Sequence, residues 1–319
     1  MLEISPKEKI LLVGTGNMAQ EYFNVLELLL SKDQILVIGR SLKGSTAFSE
    51  TNNIEVFSGG VESNEKLIKS NIKRSIVATD IEELPLVCEH LLNYKVQSIL
   101  LEKPGSLNRN DLERLIKLKN KNTEIFIAYN RRFYRSINLL KDKLQYEKVQ
   151  SFSFEFTEFS NQVVSLKKSL VEKQRWFLAN STHVVDLFLF LSGGVKDIHC
   201  NHFGTSSWHE PMSFSGSGST LKGIPFSYIA NWNGVGRWGL NITTDKNRYV
   251  LKPLEKLQFI PKGSFQTQEL DLSEPIGTYK EGVYEMVRSF LYKKSGLCTI
   301  EEQLKHWPVY IKISGYSNE

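Results

Sequence analysis

A chain of 319 residues with 41% hydrophobic and 24% charged side chains has the make-up of a globular protein, long enough for two domains and a sizeable core. Its formal net charge of +5 is slight, and the basic residues are scattered rather than gathered into an arm, which argues against nucleic acid as a partner. Three widely spaced cysteines, Cys88, Cys200 and Cys298, form no CxxC pair and suit a reducing compartment without structural disulfides or a zinc framework. The N-terminus has too short an apolar run for a signal peptide, and no stretch approaches the ~20 apolar residues of a membrane span. The expectation is a cytoplasmic protein that does not engage a membrane.

The first 130 residues alternate between apolar runs and helical patterns. "KILLVG" (9–14) is the continuous aliphatic run of a strand buried on both faces. Met18, Tyr22, Val25, Leu26 and Leu29 then recur at helical spacing. Further strands are read at 35–39, 75–79, 96–101 and 124–129, with helices at about 62–70, 82–94 and 108–120 filling most gaps. Strand-helix repetition of this kind predicts an α/β domain, a Rossmann-type doubly wound parallel sheet, over residues 1–129.

From residue 130 a second domain is expected to run to 319. "SFSFEFTEF" (151–159) alternates strictly, with Phe152, Phe154 and Phe156 on one face and Ser153, Glu155 and Thr157 on the other. This reads as an antiparallel-type strand with two unlike faces. Strands are also expected at 196–204, 225–233, 237–244, 247–252 and 255–260. "NWNGVGRW" (231–238) reads as a hairpin turning on Asn233-Gly234. "SFSGSGST" (213–220) reads as a glycine- and serine-rich loop, and helices at about 279–293 and 300–312 close the chain.

Between the first strand and its helix, Gly14, Gly16 and Ala19 form a GxGxxA pattern. Such a loop allows a tight turn, close backbone approach to a pyrophosphate, and close packing of helix on strand. The helix end opened by Asn17 and Met18 would then face the phosphates with free amides. The second strand usually ends in an acidic residue that binds the ribose hydroxyls of NAD; here it ends in Gly39-Arg40-Ser41. Loss of the carboxylate, the room left by Gly39, and the Arg40 donor fork favour NADP, with NAD as the alternative.

With "EKP" at 102–104 after a strand end and the glycine loop at the N-terminus, the chain resembles the Gfo/Idh/MocA oxidoreductase family. "IVAT" (76–79), "YNRRF" (129–133), "HVVDLF" (183–188) and "NGVGRW" (233–238) extend the resemblance over most of the sequence. It implies a C-terminal α+β domain with a large, open-faced, mostly antiparallel sheet that commonly makes a homodimer or larger assembly. It also implies hydride transfer at a carbon of a small sugar-like or cyclitol-like substrate.

On that resemblance Lys103 reaches the substrate pocket and Pro104 follows it in cis; the plain alternative is a turn ion pair between Glu102 and Lys103. Cofactor contacts are assigned to Gly14, Gly16, Asn17, Met18, Arg40, Ser41, Thr79 and Glu102. His183 lies on a buried helix, capped by Asn180 or Ser181 and ended by Gly193-Gly194. It shares a face with Asp186 and is read as the proton-exchanging group. Asn130, Arg131 and Asn180 are read as substrate-binding, and the second arginine, Arg132, as a domain-interface ion pair. His199, Cys200, His202 and His209 are set aside as metal ligands, because His199 and His202 would point to opposite faces of a strand.

Three positions depart from the family pattern. Ala179 stands where an aspartate is common, Asp80 where a proline is, and Leu84 where a histidine is. Ala179 keeps a second reading alive, that of a catalytically reduced member that binds cofactor or ligand and acts as a sensor.

Overall fold

In the computed structural model, which describes residues 8–272 and 279–316, Ile10, Leu11 and Leu12 of β1 (Lys9–Val13) have no exposed surface. A strand without a polar face needs cover on both sides, and the chain supplies it with a helix after nearly every strand. In order come α1 (Asn17–Leu29), β2 (Ile35–Ile38), α2 (Leu42–Asn52), β3 (Val56–Phe57), α3 (Gly60–Ser63) and α4 (Glu65–Asn71). They are followed by β4 (Ile72–Val77), α5 (Leu84–Asn93), β5 (Ser98–Leu101), α6 (Arg109–Leu118) and β6 (Glu124–Ile127). The strands stand in the order β6-β5-β4-β1-β2-β3, all parallel. The order reverses between β1 and β4, and a doubly wound sheet binds its ligand at the carboxyl ends of the strands at such a point.

The chain then builds a second sheet. It passes through α7 (Arg135–Leu144), β7 (Val149–Glu155), α8 (Ser160–Ser165), α9 (Leu170–Gln174), a π-helical turn (Phe177–Ser181) and α10 (Thr182–Ser192). Seven strands follow: β8 (Val195–Phe203), β9 (Ser213–Thr220), β10 (Pro225–Asn231), β11 (Gly239–Thr244), β12 (Asn247–Leu251), β13 (Gln258–Pro261) and β14 (Gln268–Glu269). Their order is β14-β13-β12-β11-β7-β10-β9-β8, antiparallel throughout except for β7 against β10. Phe152, Phe154 and Phe156 face inward as the alternation predicts. Phe188 of α10 stacks on Phe154 and packs on Phe226, with ring centroids 4.8 Å apart in each case, so α10 covers this face.

Two expectations about this sheet are corrected. Residues 231–238 form no hairpin, because β7 lies between β10 and β11 and pairs with both, parallel to one and antiparallel to the other. The local turn signal at Asn233-Gly234 describes a loop but not the pairing of the strands around it. The supposed loop 213–220 is β9. Its glycines serve packing: a Cβ on Gly218 would collide with the carbonyl oxygen of Asp197 on β8, and one on Gly216 with the ring of Tyr228 on β10. Glycine in a strand marks close approach as readily as it marks a turn.

The chain divides into Met1–Asn130 with Ile276–Leu304 and Arg131–Pro275 with Lys305–Glu319. The second part of the sequence thus returns to the first unit, which the expected division at 129/130 did not include. There α11 (Val283–Arg288) packs on α1, β15 (Cys298–Thr299) adds an antiparallel edge to β6, and α12 (Ile300–Ser314) begins. A two-residue strand has no periodicity to read. No helix among the described residues is long and apolar enough to cross a membrane.

His209, weighed above as a metal ligand, lies in an aromatic cluster of the second unit with Trp208, Trp232, Phe214 and Tyr316. Its Nδ1 donates to the Pro211 carbonyl (2.8 Å), so its Nε2 accepts from the Tyr316 hydroxyl (2.6 Å). Burial pushes the imidazole down to about 4, from an ordinary 6.5. Folded protein keeps it neutral, whereas the unfolded chain takes up a proton near pH 6.5. The stabilisation is therefore complete above 6.5 and is lost as pH falls towards 4, about 3 kcal/mol in all. Urea unfolding between pH 7 and pH 4 should show His209→Gln losing less stability than the wild type by about that amount. Parallel curves would show that His209 does not carry the acid sensitivity.

Candidate active site

The glycine loop joins β1 to α1 at the carboxyl edge of the parallel sheet. Gly14 has φ +119°, and a Cβ there would collide with the carbonyl oxygen of Ala78 at the end of β4. Only glycine fits. Gly16 is the N-cap of α1, with no side-chain cap, and a Cβ on it would meet nothing within 4 Å. The loop thus leaves open space in front of the amides of a 13-residue helix, as a bound pyrophosphate needs. Ala19 is fully buried where α1 crosses the sheet, Asn17 is exposed, and the Met18 sulfur lies 3.6 Å from Lys280 Nζ. These residues fit a dinucleotide.

At the end of β2 the picture differs from the sequence reading in one respect. Gly39 does not leave room: it is buried, and the space of its missing side chain holds Ser45 and Thr15. Arg40 reaches outward with 75% of its side chain exposed and pairs with Glu83 at 2.5 Å. Ser41 caps α2, accepting from the Gly44 amide (3.1 Å). Thr79 sits half-buried just past β4.

Glu102, Lys103 and Pro104 follow β5 on the same edge, and the Lys103–Pro104 bond is cis. Glu102 accepts from the Tyr22 hydroxyl of α1 (2.5 Å) and from the Lys103 backbone N–H (3.1 Å). The Pro104 carbonyl accepts from Gln303 Nε2 (2.9 Å), which also lies 3.2 Å from the Tyr129 hydroxyl. The sequence reading missed Tyr22 and Gln303. Their partners lie 80 and 199 residues away, and no local pattern records such pairings. Asn130, read as substrate-binding, is buried and donates its amide to the Glu281 carbonyl (2.9 Å), closing the return of the chain to this unit.

The second unit assembles its own set around α10. Asp186 takes the Arg132 guanidinium in a two-point fork (2.8 and 2.5 Å), both groups almost wholly buried. Arg132 belongs to the second unit, so this pair lies within one unit and does not bridge two as expected. Breaking such a pair would leave a bare buried charge, which costs about 3–5 kcal/mol. The Arg131 guanidinium lies 4.6 Å over the Trp238 ring, and the His183 ring lies 5.9 Å from the same indole. Arg131 and His183 thus share the Trp238 ring.

Asn180 and Ser181 do not cap α10. The chain enters the helix through the π-helical turn, and both side chains instead bind the buried Glu158, Asn180 Nδ2 at 3.1 Å from each oxygen and Ser181 Oγ at 2.6 Å. Gly193 does end the helix, at φ 84°. His183 is buried in its first turn, and Ala179 is buried in the π turn. Among the described residues no group of three or more His, Cys, Asp or Glu is placed to hold a metal ion.

Residues 8–130 match the model of the Gfo/Idh/MocA family, described as an oxidoreductase family with an NAD-binding Rossmann fold. A search of curated protein sequences gives no match. Among solved structures, UDP-N-acetylglucosamine 3-dehydrogenase from Acidithiobacillus ferrooxidans is similar, with 12% identity over 96% of each chain and a TM-score of 0.75. An NAD binding oxidoreductase from Klebsiella pneumoniae reaches a TM-score of 0.79 at 11% identity, over 98% of this chain and 96% of its own. The WlbA dehydrogenase from Chromobacterium violaceum, solved with NADH and UDP-GlcNAcA, gives 0.73 at 15% identity, over 98% and 95%. Identities this low establish a common fold and leave activity to the site. Over residues 8–130 the chain is similar to the Gfo/Idh/MocA oxidoreductases and shares their NAD-binding Rossmann fold.

Proposed function

We propose that the protein is an NADP(H)-dependent oxidoreductase acting on a hydroxyl or keto carbon of a sugar, nucleotide-sugar or polyol. The observation that carries this reading is the place of Lys103. It follows β5 on the carboxyl edge that holds the glycine loop, two strands or about 10 Å along the sheet from β1. A cation there is within reach of a substrate bound beside the nicotinamide. The nicotinamide supplies the chemistry of hydride exchange with the substrate carbon. Lys103 holds and polarises the substrate oxygen, and His183 takes or returns its proton. Arg131, steadied on Trp238, positions the substrate; Asn180, with its amide nitrogen on Glu158, offers its carbonyl oxygen. The similarity to a UDP-N-acetylglucosamine 3-dehydrogenase and to a dehydrogenase solved with UDP-GlcNAcA supports the substrate class.

The NADP preference rests on Arg40 and on the missing carboxylate at the end of β2, since Gly39 provides no space. In the sensor reading, favoured by the buried Ala179, cofactor binds but is never oxidised or reduced. A homodimer through the second sheet is the remaining part of the proposal. Ser227, Ile229 and Asn231 of β10 alternate outward, and Ile229 is 61% exposed on a face opposite the core. A second copy laid on this face would cover it.

Three measurements test these statements. Lys103→Met and His183→Ala should each lower turnover by about 10²–10⁴ with NADPH affinity kept within a few-fold, and the double variant should lose less than the product. Full activity in Lys103→Met would reduce the lysine to a turn residue. NADPH should bind more tightly than NADH, and Arg40→Ala should weaken NADPH about ten- to hundredfold, the scale of one charge-assisted bond. Glu83→Gln should tighten it, by freeing Arg40 from its carboxylate partner. Equal affinities for both cofactors in calorimetry would remove the argument. Light scattering at tens of micromolar should give at least a dimer, and Ile229→Lys a monomer; a monomeric wild type ends the proposal.

A further inference from the structure

Position 39 follows β2, where a dinucleotide-binding sheet usually carries an acidic residue for the ribose hydroxyls. The backbone does not require glycine there, because its φ lies outside the left-handed region that forces glycine at position 14. Space requires it. A Cβ at 39 would collide with Ser45 Oγ of α2 and stand 2.8 Å from Thr15 Cγ2 in the glycine loop.

Neither side of that clash is loose. The Gly39 N–H donates to the Phe57 carbonyl of β3 (2.8 Å), and the Gly39 carbonyl accepts from the Gly60 N–H (3.0 Å), so the backbone is held from both directions. Ser45 is buried; its N–H donates to the Ser41 carbonyl (3.0 Å), and its hydroxyl reaches the same Phe57 carbonyl (3.5 Å). Thr15 is β-branched and stiff at χ1. It is also wedged against a second glycine, since a Cβ on Gly44 would lie 2.9 Å from its hydroxyl. The glycines on either side of residues 40–43 therefore close on one threonine of the loop between Gly14 and Gly16.

This packing bears on the choice of cofactor in two ways. It docks the turn that carries Arg40 and Ser41 onto the glycine loop. It also denies position 39 any side chain, including the carboxylate that would pair with free ribose hydroxyls. A 2′-phosphate needs no such carboxylate and is served by donors alone. We propose that Thr15 and Ser45 are specificity-determining residues: by filling the space beside Gly39 they shut an NAD-type carboxylate out of the end of β2 and leave the ribose end of the site to Arg40 and Ser41. The inference deepens the NADP reading above and rests on it.

Calorimetry with NADH and NADPH on three proteins tests it: the wild type, Gly39→Asp, and Gly39→Asp/Thr15→Ser/Ser45→Ala. The single variant adds the carboxylate without the room. It should melt at a lower temperature, bind NADPH about tenfold or more weakly, and gain no affinity for NADH. The triple variant removes the methyl and the hydroxyl that collide. It should bind NADH about tenfold or more tightly than the single variant does, the scale of one charge-assisted bond, while NADPH stays weak beside the new carboxylate. Thermal stability supplies a second readout: Thr15→Ser/Ser45→Ala should cost less in the presence of Gly39→Asp than in the wild type, as groups in contact do. That coupling without the gain in NADH affinity would reduce the two side chains to local packing and overturn the inference.

Gly39→Asp alone binding NADH more tightly than the wild type would overturn it as well, since the position would then be open, and the NADP reading would stand on the wild type's own affinities. If the single variant does not fold, the triple variant decides: it folds and binds NADH, or the inference is lost. A wild type that binds NADH as tightly as NADPH removes the reading beneath, and the inference falls with it.

Discussion

A parallel sheet sends the carboxyl end of every strand to the same edge. From that constraint follows the placing of Gly14 after β1, Arg40 after β2, Thr79 after β4 and Lys103 after β5. None of these residues is near another in sequence, and no side-chain contact is needed to gather them. The price is that the strands must be buried on both faces. That is why β1, β2 and β5 are built almost wholly from aliphatic residues, and why helices occupy most of the intervals. The sheet order then reverses between β1 and β4, where Gly14 lies so close to the Ala78 backbone that a Cβ would collide with its carbonyl oxygen.

The sheet brings residues to an edge but does not aim them. Aiming comes from buried polar side chains that reach over from elsewhere. Tyr22 and Gln303 fix the lysine turn. In the second unit the Arg132–Asp186 fork fixes the entry to α7 against α10, and Glu158 grips the π turn before α10. Each of these groups is costly to bury alone and stable when satisfied, so each allows one arrangement and penalises the alternatives. A core of aliphatic residues alone would tolerate small shifts of these turns; the polar ties do not.

This division between gathering and aiming explains what the sequence could reveal. Strand runs, helix periods and the glycine pattern are local, so the parallel sheet and the dinucleotide loop were legible from residues 9–129. In the second unit the alternation of Phe152, Phe154 and Phe156 predicted a two-faced strand and its core side. It could not predict that β7 has a parallel neighbour, since side-chain alternation is the same in either pairing. The serine-glycine run of β9 was misread because low bulk has two physical uses, flexibility and close packing, and composition does not tell them apart. Asn130 and Asn180 were read as ligand-binding on the family resemblance. In the structure their amide nitrogens bind the Glu281 carbonyl and the Glu158 carboxylate.

The replacement of an acidic residue by Ala179 can be judged in the same terms. An alanine in the π turn removes a carboxylate from that turn's own sequence, but the turn is not without one. Glu158, just beyond β7, is buried against Asn180 and Ser181, the two residues that follow Ala179. Held by these two neutral donors, its carboxylate ties the segment just beyond β7 to the turn that leads into His183. The chemistry of α10's first turn is therefore set by a strand as well as by the helix. A reading of the helix sequence alone, however careful, sees only the alanine.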